Sequence, residues 1–222
     1  FHTIPRNNFN IICRLVQQHR VAALRIFDAE VLPGLSKLFF SHFKLNQFTH
    51  LQSLDLECID DVVLDQVLDL SQMTRLISLA LPNRFTRFPS FVRTVELLLP
   101  QLSRLTTSYC QFTDPLPNLR CLKVNQCDES QLQHLFSSVP NLRSLSIELI
   151  KSSNAFWPDT MRQLIHLKRF QIKNYNLMTI DCIESIVTMI PSLKHLELEL
   201  GILVDLKNEY RWDTFVSNLE KF

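Results

Sequence analysis

Leu142-Arg143-Ser144-Leu145-Ser146-Ile147 carries the frame apolar-x-x-apolar-x-apolar, and the frame returns along the chain. Its clearest copies are Leu51, Leu54, Leu56; Leu76, Leu79, Leu81; Leu119, Leu122, Val124; Leu142, Leu145, Ile147; Leu167, Phe170, Ile172; and Leu193, Leu196, Leu198. First positions lie 25 residues apart from Leu51 to Leu76, 23 from Leu119 to Leu142, 25 from Leu142 to Leu167 and 26 from Leu167 to Leu193. A period in the twenties marks a solenoid, in which each unit buries its apolar side only by stacking on its neighbours. The 43 residues between Leu76 and Leu119 divide at a degenerate frame, Leu102, Leu105 and Thr107, into 26 and 17. That division gives one full unit and one shortened unit.

The intervals between frames repeat as well. Leu132, Leu135, Phe136, Val139 and Pro140 precede Leu142, and Ile183, Ile186, Val187, Ile190 and Pro191 precede Leu193 at a constant offset of 51. Both sets follow the i, i+3, i+4, i+7 spacing of an amphipathic helix. Asp128 with Gln131, and Asp181 with Glu184, supply an N-cap and its reciprocal partner three residues on. Val92, Val95 and Leu99 before Pro100 form a third copy. The frame itself is too short for a helix and alternates at its end, which predicts a short strand with its leucines in the core. Strand plus helix is therefore the unit, giving a curved array with parallel strands on one face and helices on the other.

These residues resemble the leucine-rich-repeat family, whose frame ends in an Asn or Cys that bonds the turn leaving the strand. Cys110 and Cys127 stand at that position, whereas Ile59, Arg84, Ile150 and Gly201 depart from it. The resemblance covers roughly residues 20 to 222. It implies an α/β fold: a right-handed horseshoe solenoid with short parallel strands on the concave face and helices on the convex face. The Cys positions and helical units are most similar to the ribonuclease-inhibitor-like and F-box leucine-rich-repeat subclasses.

The expected organisation is a single leucine-rich-repeat domain over residues 1–222, with an irregular N-terminal unit over about 1–49 and repeats over about 50–222. In the first part, Phe9, Ile12, Cys13 and Val16 are helically spaced and Val21, Leu24 and Ile26 make a first frame. Leu35, Leu38, Phe39, Phe43 and Phe48 read as one longer amphipathic segment whose aromatics pack in the core. With 46% hydrophobic residues and only 2 Gly and 10 Pro, the chain has no linker-like stretch. A further frame opens at Leu219 and Phe222, and the chain begins at Phe1 without Met, so it reads as a fragment of a longer protein.

Chemistry is sparse. Lys plus Arg total 23 against 22 Asp plus Glu, which gives no electrostatic reason to invoke nucleic acid or a membrane surface. No run approaches eighteen uninterrupted apolar residues, as a spanning helix needs. Six Cys without clustered pairs, and no Asn-x-Ser/Thr sequon, favour an intracellular setting, cytoplasmic or nuclear. The seven His are scattered, no Cys-x-x-Cys occurs, and Gly only at 34 and 201 excludes a Gly-rich phosphate loop. We expect no catalytic residue, no cofactor and no metal.

The outward positions of the strands are the candidate partner contacts. The third position carries Ser53, Ser78, Arg104, Cys121, Ser144, Arg169 and His195; the fifth Asp55, Ala80, Thr106, Lys123, Ser146, Gln171 and Glu197; the seventh Glu57, Pro82, Ser108, Asn125, Glu148, Lys173 and Glu199. Arg104, Lys123, Arg169 and Lys173 form a cationic middle, with Asp55 and Glu57 at one acidic end and Glu197 and Glu199 at the other. Such a split can orient a protein ligand by complementary charge. With Asn125 and Glu148, these residues make up the expected protein-binding concave face. The resemblance to F-box proteins implies substrate recognition for a ubiquitin ligase, with an adaptor docking to an F-box outside this sequence. An inhibitor or scaffold like the ribonuclease inhibitor uses the same solenoid without an F-box. A third reading, a GTPase-activating leucine-rich-repeat protein, needs an Arg or Asn near a strand exit, such as Arg104 or Asn125.

Overall fold

The protein is described by a computed structural model covering residues 6–28, 34–59, 70, 72–82, 95–108, 112, 114–151 and 164–203. It divides into two compact units, Phe1–Leu99 and Pro100–Phe222. Both are built the same way, as an α/β solenoid whose strands are parallel and follow chain order.

In the first unit, α1 (Arg6–Leu15) leads to β1 (Ala23–Phe27), α2 (Leu35–His42), β2 (Ser53–Cys58) and β3 (Ser78–Ala80). The register sets Leu24 beside Leu54 and Leu54 beside Leu79, so the first frame does begin at Val21. Leu51, Leu54, Leu56, Leu76, Leu79 and Leu81 are each at most 1% exposed. The segment from Leu35 to Phe48 is not one helix. It ends at His42 and resumes as a 3-10 turn over Leu45–Gln47, with Phe43 in an extended conformation between them. The break folds Phe43 and Phe48 into the core, where the Phe39 ring lies 5.0 Å from Phe43 and stacks on Phe48 at 6.0 Å. Three rings meeting face and edge are worth more than one continued helical turn. Val95, in the helical residues 95–98, and Leu99, which opens a 3-10 turn over Leu99–Gln101, are buried as their spacing predicts, while Val92 lies outside the described residues.

In the second unit, β4 (Arg104–Thr107), β5 (Cys121–Asp128), α3 (Glu129–Ser138), β6 (Ser144–Lys151), β7 (Arg169–Met178), α4 (Ile180–Met189) and β8 (His195–Leu203) follow one another. The degenerate frame is a true strand: Thr107, 1% exposed, stands in register with Val124. Asp128 caps α3, its carboxylate accepting from Gln131 N at 2.9 Å while Gln131 Oε1 accepts from Asp128 N at 3.0 Å. Leu132, Leu135 and Phe136 on α3 and Val139 at its C-cap are fully buried, and α3 packs against β5. At the offset of 51, Ile183, Ile186 and Ile190 are also buried, while Val187, the counterpart of Phe136, is half-buried. However, α4 starts at Ile180, so Asp181 sits inside its first turn rather than at its N-cap. A carboxylate there still faces the positive end of the helix.

Strands β5 to β8 run 8 to 10 residues, longer than the frame predicts. Alternation continues past the frame: Leu145, Ile147 and Leu149 all face the core, as do Phe170, Ile172 and Asn174. Asn174 is fully buried and paired in register with Leu149 and Leu200. On β5 the same layer is reached by a bulge, with Gln126 at a φ of 65° and Cys127 fully buried beyond it. Cys127 thus lies inside β5, in register with Leu149, rather than in a turn leaving the strand, while Ile59, one residue past β2, is a buried apolar side chain. Cys110 and Arg84 lie outside the described residues.

Candidate functional site

Each strand of the second unit places its odd positions outward, and register turns these positions into rows. Arg104, Cys121, Ser144, Arg169 and His195 form one row. Thr106, Lys123, Ser146, Gln171 and Glu197 form the next, and Glu148, Lys173 and Glu199 the third. Neighbours along a row stand about 4.8 Å apart across the sheet, within reach of one another's side chains.

The rows are wired. Ser146 Oγ donates to Gln171 Oε1 at 2.6 Å, and Gln171 Nε2 donates to Glu197 Oε1 at 2.8 Å. This chain crosses three strands and fixes the orientation of the Gln171 amide. One row on, Lys173 forms an ion pair with Glu199. One ion pair thus joins the cationic Lys173 to the acidic Glu199 of the neighbouring strand, and Glu197 is held by Gln171. Arg104, Lys123 and Arg169 are exposed. Asn125, half-buried, immediately precedes the bulge at Gln126.

Asp55 and Glu57 belong to β2 of the first unit. Asp55 Oδ2 is 2.9 Å from Arg25 Nε, an ion pair with the preceding strand that the sequence did not suggest. The Glu57 side chain lies outside the described residues.

An open depression of about 370 Å³ lies over β6, β7 and β8, lined by Ser144, Ser146, Arg169, Phe170, Gln171 and His195 together with Leu145 and Glu197. Leu145 and Phe170 turn their side chains into the core and leave strand backbone as its floor, and its walls are hydroxyl, amide, guanidinium, imidazole and carboxylate. Selecting candidates by charge found Arg169 and Glu197 but passed over Ser146 and Gln171. Their shared fifth position, one repeat apart, was the signal.

No group of three or more His, Cys, Asp or Glu among the described residues is placed to hold a metal ion. Cys13, Cys121 and Cys127 are free thiols, and burial pushes the Cys13 thiol up from its ordinary value, away from the nucleophilic thiolate. Among the described residues no helix is long and apolar enough to cross a membrane.

No family model matches the chain, and no curated protein matches it. Among solved structures, an internalin from Listeria monocytogenes is similar over 90% of this chain and 76% of that chain, at 14% identity and a TM-score of 0.34. Likeness at that level adds no argument to the one made by register and burial.

Proposed function

We propose that this chain is a protein-interaction module whose recognition surface is the outward face of β4 to β8. The carrying observation is the depression over β6 to β8, where a hydrogen-bonded chain from Ser146 through Gln171 to Glu197 is set before any ligand arrives. Polar groups preset over a rigid sheet cut the ordering cost of binding and favour a specific occupant. Arg104, Lys123 and Arg169 supply complementary charge toward an acidic partner surface.

Within this proposal, the finer role is that of substrate receptor in an F-box type of ubiquitin ligase, acting inside the cell. It is supported by the resemblance of the strand-and-helix unit and by the fully buried Cys127 three residues after Val124. The experiment is affinity capture from cell extract with the chain carrying Arg104→Glu, Lys123→Glu and Arg169→Glu, against a control reversing Lys37, Lys44 and Arg75. Loss of captured proteins from the first variant alone is the expected result. Equal loss from both, with unchanged circular dichroism, overturns the strand-face site. Capture of a ubiquitin-ligase adaptor by the full-length parent protein tests the finer role, and its absence returns the module to a scaffold or inhibitor.

A further inference from the structure

The four turns that enter β5, β6, β7 and β8 are built alike. Leu119 N donates to Leu116 O at 3.2 Å, Leu142 N to Val139 O at 3.2 Å, Leu167 N to Leu164 O at 3.0 Å and Leu193 N to Ile190 O at 3.1 Å. The residue after each of these leucines is basic: Arg120, Arg143, Lys168 and Lys194. Backbone bonds join these residues directly into a line, Arg143 N to Arg120 O at 2.8 Å, Lys168 N to Arg143 O at 2.9 Å and Lys194 N to Lys168 O at 2.9 Å.

The rim they form is stiff. Asn118 Nδ2 donates to Pro100 O at 2.8 Å, Asn141 Nδ2 to Pro117 O at 3.0 Å and Ser192 Oγ to Leu167 O at 2.8 Å, each tying a turn to the preceding repeat. Arg120 is half-buried and donates to Asn141 O at 3.1 Å, so it serves the rim itself. Arg143, Lys168 and Lys194 are exposed, and none of them is in an ion pair among the described residues. Arg169 and His195, the next residues along, are exposed too. The segments 115–121, 139–146, 164–171 and 190–196 contain no Asp or Glu.

A chain of almost balanced charge thus concentrates positive charge along one edge of one sheet, one cation per strand at about 4.8 Å spacing. Like charges at that spacing repel, and a rigid backbone keeps them from separating. We propose that this rim binds an acidic, extended peptide segment of a protein partner, laid across the entry turns of β5 to β8. A peptide is favoured over nucleic acid because single-strand binding pairs cations with broad aromatic stacking platforms, and the described residues of the rim offer no Phe, Tyr or Trp ring facing solvent. Arg169 and His195 adjoin both sites, whereas Arg143, Lys168 and Lys194 do not line the depression, so variants at these three test the rim by itself.

The test uses the whole chain and a fluorescein-labelled ten-residue Glu-rich peptide, read by fluorescence anisotropy. Arg143→Gln, Lys168→Gln and Lys194→Gln together are expected to weaken binding about tenfold, the sum of three exposed pairs. Ser146→Ala with Gln171→Ala, in the depression, is expected to leave it unchanged. Added salt weakens the wild-type complex, and a peptide with every Glu replaced by Gln does not bind. Unchanged affinity in the triple variant overturns the proposal, as does equal binding of the Gln peptide. Tighter binding of a twelve-nucleotide single-stranded DNA or of vesicles rich in phosphatidylserine overturns the choice of a peptide occupant. Because the salt and peptide comparisons use wild-type protein, a misfolded triple variant still leaves a decision.

Discussion

Replacing Leu145 with Ala probes the stacking on which the whole fold rests. Leu145 is 1% exposed near the start of β6, with Leu122 in register on one side and Phe170 on the other, themselves 3% and 1% exposed. Both neighbours are held by continuous backbone pairing, so the cavity left by the lost methyl groups has little freedom to collapse. Leu-to-Ala changes in cores cost about 2–5 kcal/mol, and rigid walls put this one at about 3–4 kcal/mol. Against a typical domain stability of about 5–15 kcal/mol, that is a large fraction of the total. Leu196, the equivalent residue on β8, is only half-buried, so Leu196→Ala is expected to cost about 1–2 kcal/mol. Urea unfolding followed by far-ultraviolet circular dichroism measures both, with the slope showing whether the transition keeps its cooperativity. A Leu145→Ala variant within about 1 kcal/mol of wild type, or less damaged than Leu196→Ala, would refute the stacked-layer account. Leu145→Asp goes further, placing a charge where no partner stands, and no folded protein is expected.

Two local devices are open to the same measurement. Asp128→Ala removes the carboxylate that accepts from Gln131 N and is expected to lower stability by about 1 kcal/mol, with Asp128→Asn recovering most of it. Gln126 sits at a φ of 65°, where a β-branched side chain is strongly disfavoured, so Gln126→Val is expected to cost about 1–2 kcal/mol while Gln126→Gly is close to neutral. Equal losses for Val and Gly at this position would mean that the bulge is not held in the left-handed conformation.

Much of this was legible in the sequence because a repeat repeats its errors as well as its rules. Thr107 looks wrong for a leucine layer, yet its register was set by the spacing of Leu102 and Leu105, and it is buried all the same. The capping pair Asp128 and Gln131 was readable because its geometry is entirely local. Asp181 was misplaced for the complementary reason: which residue begins a helix depends on how the preceding strand ends, and β7 runs on to Met178. The continuation of strands past the frame was written in the alternation of Leu145, Ile147 and Leu149, but a consensus that stops at its third leucine hides it.

The surface was legible as a set of positions and illegible as a set of partners. Outward positions follow from the period of two along a strand. Partners follow from the period of the repeat, since Ser146, Gln171 and Glu197 meet only because successive units contribute 25 and 26 residues. The same arithmetic explains why a residue just outside the strand matters. A lone arginine after a leucine says nothing, but Arg143, Lys168 and Lys194 occupy that place in consecutive units, and stacking converts a once-per-repeat preference into a line of charge. In a solenoid, any side-chain property held at one frame position becomes a continuous stripe, so binding surfaces are to be sought down the columns of the repeat alignment within the chain. The basic column at the strand entry and the hydrogen-bonded column at the fifth position are two such stripes, and their variants separate them experimentally.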